Sequence, residues 1–321
     1  CYLAVWFVLG QWITLCSFLI GSGASSYVSR LAAAGRKEFY FLFFWNVMSV
    51  MFIVQLWMRS RCSYSGIWRV AFPLIIMNAG LTIMHFCDRK FLAMNSPLDV
   101  AAALPAGVLS YTLTSFFLAL SSYTATVVAQ YFGKGEKASC VRAAWNGFYL
   151  SLGTGLLLLL VMPWLGLGLI ELSGHPQEIR ALEREYFIML IPSGAFMCMS
   201  AALTSLFSGV GKTRHAAVVN LTSCTLNVVL DYILIFGKCG APAMGIRGAG
   251  IATSTSAGCA FLLAALLFWF QDQDRCPTRS HRGFSWAEIR RLFRFGTPAG
   301  LQVFSDLGAF TVFSFLIGLI D

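Results

Sequence analysis

Charge is what this sequence lacks. Only 12% of its 321 residues are charged, 58% are hydrophobic, and mean hydropathy is +0.72. A soluble domain carries about 25% charged residues, so this chain cannot hide its apolar surface inside one water-facing globule. Metal-ligand spacing is missing too. Ten cysteines are scattered along the chain, no CxxC occurs, and no Cys/His group is spaced for a metal. The cysteines read as small packing residues inside apolar segments. Phosphate loops are absent as well: Gly133-Lys134-Gly135-Glu136-Lys137 and Gly209-Val210-Gly211-Lys212-Thr213-Arg214 lack the GxxxxGK[ST] spacing. No Ser/His/Asp or Cys/His set recommends hydrolysis. A nucleotide-driven pump, a metal site, an organic cofactor and an enzyme are all disfavoured, which leaves an ion gradient or a partner to drive any work.

Long apolar runs are what the sequence does have. They lie at about 72–92, 104–130, 144–170, 186–208, 215–237, 249–270 and 297–320, with two further stretches at about 1–20 and 39–58. About 20 residues at 1.5 Å rise cross a ~30 Å hydrocarbon core, so the sequence predicts an all-α, polytopic transmembrane bundle. The net charge of +9 could point to nucleic acid, but the basic residues cluster in alternate loops. Arg59, Arg61 and Arg69, then Lys134, Lys137 and Arg142, then Lys212 and Arg214, then the run from Arg275 to Arg294 fall on one side. Arg180, Arg184, Lys238 and Arg247 fall on the other. The richer side is placed in the cytoplasm. The charge is topology, with lipid as the partner, no nucleic acid, and a plasma (inner) membrane location expected.

The chain opens at Cys1 and stops at Asp321 just after an apolar run; both ends read as cut, so a fragment is expected. Residues 1–66 stay unassigned: they are two extra helices or sequence foreign to the mature protein. Residues 67–270 form a lobe of six transmembrane helices, and 271–296 a cytoplasmic linker. Within the linker, Phe284, Ile289, Leu292 and Phe293 are expected to lie in the membrane interface with the arginines toward anionic lipid. Residues 297–321 are the first helix of a second, truncated lobe. Arg69-x-x-x-Pro73 and Arg294-x-x-x-Pro298 open matching apolar runs. Six helices between them make this the pattern of a parallel internal repeat.

Against this background the intramembrane polar groups stand out. An ionisable residue at bilayer depth costs about 2.5–3.5 kcal/mol even on lenient scales, so it usually faces a cavity and handles ions or protons. Asp88 ends one apolar run and is a candidate to exchange a proton for a cationic substrate. Arg89 or Lys90 is a candidate ion-pair partner for it. Asn227 and Asp231 lie four residues apart on one helical face and offer oxygens that suit a proton or Na⁺. Asp306, with Gln302 four residues before it, is a third intramembrane acid. His85, three residues before Asp88, is a possible relay.

Five segments carry a family resemblance: Pro73 through Asp88-Arg89-Lys90-Phe91-Leu92-Ala93, Val128-Ala129-Gln130-Tyr131-Phe132-Gly133-Lys134-Gly135, Gly209 to Thr213, Leu226-Asn227-Val228-Val229-Leu230-Asp231-Tyr232 to Gly237, and Gly245 to Thr253. In this order and spacing they resemble the multidrug and toxic compound extrusion (MATE) family. The resemblance implies two six-helix lobes in a V-shaped, alternating-access exporter, working as a monomer when full length. It implies exchange of organic cations or drugs for H⁺ or Na⁺, with no other cofactor. By position it assigns cation or proton coupling to Asp88, Asn227, Asp231 and Asp306, with His85 and Gln302 as accessories. Asp306 departs from the common Glu. A flippase for lipid-linked saccharides in the same superfamily is the alternative, as is a fragment inactive by itself.

Overall fold

The computed structural model describes residues 64–270 and 282–317; the readings made for 1–63, 271–281 and 318–321 lie outside them. The chain divides into two compact units, Cys1–Arg69 and Val70–Asp321, and the described residues fall almost wholly in the second. They form eight helices: α1 Tyr64–Asn95, α2 Pro97–Ser122, α3 Thr124–Gly133, α4 Lys137–Glu171, α5 Gln177–Gly209, α6 Thr213–Phe236, α7 Ile246–Trp269 and α8 Trp286–Ile317. No strand occurs among the described residues. Because α3 continues α2 after a single residue, six spans are long and apolar enough to cross a membrane. This is a multi-pass helical membrane lobe.

Helix α5 is the hub, packing against α7, α4, α2 and α3. Its buried stripe runs Glu183, Tyr186, Phe187, Leu190 and Ile191, then Cys198, Ala202 and Leu206, the 3.6-residue spacing that turns one helical face inward. Two apolar clusters stack along it. Leu92, Ala106, Ile170, Phe187, Ile235 and Ile246 fill one end; Leu120, Val128, Phe207, Phe268 and Leu292 fill the other. Small residues let the helices close up without a hydrophobic drive between them. A side chain on Gly166 would land on the buried ring of Phe187, and one on Gly248 would strike the backbone of Leu234. Gly237 ends α6 in the left-handed region, at φ 66°, where a residue without a Cβ is favoured.

The structure corrects three sequence expectations. Pro73 and Pro298 do not open their helices but sit inside α1 and α8. One lost N–H bond is tolerated where the remaining ladder and neighbouring helices satisfy the backbone. For the same reason the amphipathic linker segment and the following apolar run are one continuous helix, α8. Finally, Ile289 and Leu292 do not lie in the interface. They are buried in the core cluster, while Phe284 and Phe293 are exposed.

The entry to α8 is tied to α4. Buried Asn146 donates to Gly283 O (3.1 Å) and accepts from Ser285 N (2.7 Å), and Tyr149 donates to Arg282 O (2.9 Å). Further along, Arg291 reaches Tyr131 Oη (2.9 Å) and Gln130 Oε1 (2.8 Å) from α8 to α3. Replacing Asn146 by Leu strands a carbonyl and an amide at a cost of about 1–3 kcal/mol. We expect amide exchange at Ser285 to rise in Asn146→Leu while exchange in the α5 core stays unchanged, measured by hydrogen–deuterium exchange.

Candidate cation-coupling site

Asp88 lies near one end of α1 and Asp231 near the end of α6, two residues remote in sequence. The packing of α1 on α6 brings them together. Gly80 admits Leu221, and the Phe91 ring meets Tyr232 and Phe236 edge-on at centroid distances of 5.9 Å. Between the acids sits Asn227, one turn before Asp231. With its amide nitrogen turned toward them, it donates to Asp88 Oδ1 at 3.0 Å and to Asp231 Oδ2 at 3.2 Å. Its amide oxygen then faces the Thr253 hydroxyl of α7, 3.3 Å away. Asn227 and Asp231 are fully buried, and Asp88 is half-buried. Asp231 thus sits deep in the lobe despite being close to the helix end.

This arrangement has a clear chemical capacity. Asp231 Oδ1 is buried and meets no fixed hydrogen-bond donor among the described residues. The Asp88 carboxyl lies within hydrogen-bonding reach of Asp231, so a bond between the acids forms when one of them carries a proton. Without that proton the pair is a concentrated negative charge, and its carboxylate oxygens are of the hard type that a hard cation takes. Such a pair is suited to holding one positive charge, as a proton or as a cation.

Other sequence candidates fall elsewhere. Arg89 and Lys90 are exposed, and no ion pair joins either to Asp88 among the described residues; Asp88 turns to Asn227 instead. His85 is exposed on α1 with no hydrogen bond to Asp88. Asp306 is half-buried and Gln302 exposed, both on α8, which packs on α2 and α4 rather than joining the cluster. Two residues escaped the sequence reading. Thr253 donates to Ala249 O at 3.0 Å, an ordinary helix habit that gives no sign that it faces Asn227. Tyr186, on α5, is close enough for the charges of Asp88 and Asp231 to act on its hydroxyl.

Residues 73–233, half of the chain and including all three members of the cluster, match the MatE family. The chain belongs to the MatE family. Its relatives include a probable multidrug resistance protein NorM of Bacillus subtilis, 26% identical over 81% of this chain and 58% of that protein. The multidrug resistance protein PmpM of Pseudomonas aeruginosa is 29% identical, over 82% of this chain and 56% of its own length. The fold matches an outward-facing multidrug resistance MATE transporter with a TM-score of 0.66 at 23% identity, covering 74% of this chain and 52% of the other. The chain spans a little over half the length of the curated relatives it matches. This MatE chain therefore presents about one lobe of a transporter-type fold, and its relatives are transporters rather than enzymes.

Proposed function

We propose that this MatE lobe is the cation-coupling half of a secondary antiporter. The full-length protein would export organic cations or drugs across the plasma membrane in exchange for H⁺ or Na⁺. The observation that carries this reading is the convergence of Asp88, Asn227 and Asp231 inside the lobe. With both acids ionised the cluster attracts a cationic substrate; a proton or Na⁺ arriving at the acids cancels that attraction and releases the substrate. Coupling is then competition for one charge, expressed through two states of the lobe. Acids in this position also favour an antiporter over a flippase of anionic, lipid-linked saccharides, which would prefer a cationic cavity.

The test is dye efflux from cells lacking their own pumps, expressing the full-length protein, under an imposed pH gradient and separately under a Na⁺ gradient. Efflux driven by one of the two gradients is expected and names the coupling ion. No efflux under both, from well-expressed protein, would favour the flippase.

A further inference from the structure

One face of α8 carries a groove that takes no part in the acid cluster. Arg290, Arg294, Thr297, Leu301 and Phe304 follow one another by four, three, four and three residues, the spacing that keeps side chains on one helical face. The buried residues Ile289, Leu292, Gly296 and Gly300 form a different face, turned to the lobe. Arg290, Phe293, Arg294, Thr297 and Pro298 line a cavity of about 550 Å³ near the start of the helix. Further along, Leu301 and Phe304 bound a second cavity of about 430 Å³ against Phe116 and Phe117 of α2 and Leu157 and Val161 of α4. This crevice exists because α8 packs chiefly on α2 and touches α4 much less. Pro298 of the first cavity and Leu301 of the second are three residues apart, so the two follow each other along one face.

The two ends differ in chemistry. Arg291 turns to α3, where Tyr131 and Gln130 hold it. Arg290 and Arg294 are exposed and make no ion pair or hydrogen bond among the described residues. Arg294 lies over the exposed ring of its neighbour Phe295, 5.7 Å away. No acid lines either cavity among the described residues, and the second is lined by apolar side chains alone. Two guanidinium groups one turn apart present forked donors that match a phosphate. By the distribution of basic loops they stand at the cytoplasmic membrane surface, where basic pockets attract anionic headgroups. From Arg294 to Phe304 the helix rises about 15 Å, half of a ~30 Å hydrocarbon core. That is the depth one acyl chain spans.

We propose that this face of α8 binds one anionic phospholipid of the cytoplasmic leaflet. Its phosphate lies between Arg290 and Arg294, and one acyl chain runs past Thr297 and Pro298 into the crevice bounded by α8, α2 and α4. The arginine charges select the headgroup, and the apolar crevice holds the chain at a fixed place on the lobe. A soluble anion gains the first interaction alone, and a zwitterionic lipid chiefly the second. The proposal is independent of the antiport reading, because none of these residues belongs to the cluster of Asp88, Asn227 and Asp231.

The test counts lipid rather than drug movement. The full-length protein in mild detergent is titrated with phosphatidylglycerol, or with phosphatidylcholine of the same chains, and bound lipid is read by native mass spectrometry. Phosphatidylglycerol is expected to bind about tenfold more tightly. Arg290→Gln combined with Arg294→Gln should erase that preference. Leu301→Trp, which fills the crevice, should weaken both lipids. Arg214→Gln, at another exposed arginine of the basic side, keeps the wild-type preference. The arginine pair carries the test if Leu301→Trp fails to fold, since both arginines are exposed. Phosphatidylglycerol bound no better than phosphatidylcholine, or a preference unchanged in the double variant, overturns the proposal. Wild-type lipid binding in a folded Leu301→Trp protein overturns it as well, because the chain then lies elsewhere. Glycerol phosphate that displaces the lipid at equal concentration would reduce the groove to a soluble-anion site and also overturn it.

Discussion

Asp231→Asn is expected to abolish gradient-driven efflux while leaving expression and fold intact. The substitution keeps the side chain's shape and a hydrogen-bonding oxygen for Asn227, but removes the charge for which, in the proposed mechanism, the coupling cation and substrate compete. The loss should be about tenfold or more in initial efflux rate, the usual span of a coupling free energy, under whichever gradient drives the wild type. Substrate binding should also cease to depend on the coupling ion. A variant that still pumps at the wild-type rate would remove Asp231 from the mechanism. Expression and detergent stability must be measured alongside, because a buried group touching Asp88 and Asn227 also contributes to packing.

The second large effect lies outside the site. Gly248 is where α7 crosses α6, and a Cβ there would be 2.7 Å from the carbonyl oxygen of Leu234. A backbone atom cannot step aside as a side chain can, so Gly248→Val must push α6 away from α7. Overpacking of this kind costs about 1–3 kcal/mol. It should also separate Asn227 from Thr253, since these two residues face each other across the same helix pair. We expect a thermal midpoint several degrees lower in detergent and efflux reduced to near background. Gly153→Ala provides the contrast: Gly153 has open space around its would-be Cβ, and its replacement should leave both measurements at wild-type values. Equal behaviour of the two variants would contradict the close-packing account.

The membrane helices were legible because apolar runs leave little room for any other reading. Their ends were not. Helix α4 begins at Lys137 and α5 at Gln177, each several residues ahead of the apolar run that announced it, because polar turns at the membrane surface carry no hydropathy signal. Glu183 falls in such a turn, and the sequence offered no hint that it would be buried. Asp88, Asn227 and Asp231 were conspicuous because polar groups inside an apolar run are costly and rare. The spacing of Asn227 and Asp231 also placed that pair on one face. That Asp88 would meet them depended on how α1 packs on α6, which one helix's periodicity cannot supply. Tyr186 and Thr253 stayed hidden for a different reason. Tyrosine and threonine are common in membrane helices and satisfy themselves locally or at helix contacts, so neither looks unusual before the helices are assembled.

The central claim is that Asp88, Asn227 and Asp231 hold the coupling ion in competition with substrate. Counting ions released when substrate binds tests it most directly. A cationic dye is titrated into the full-length transporter in nanodiscs, with proton release read in weakly buffered solution, once without Na⁺ and once with it. Roughly one proton released per dye bound, or one Na⁺ displaced in its place, is the predicted result, and release should vanish in Asp231→Asn. Tight dye binding that releases neither ion would contradict the account.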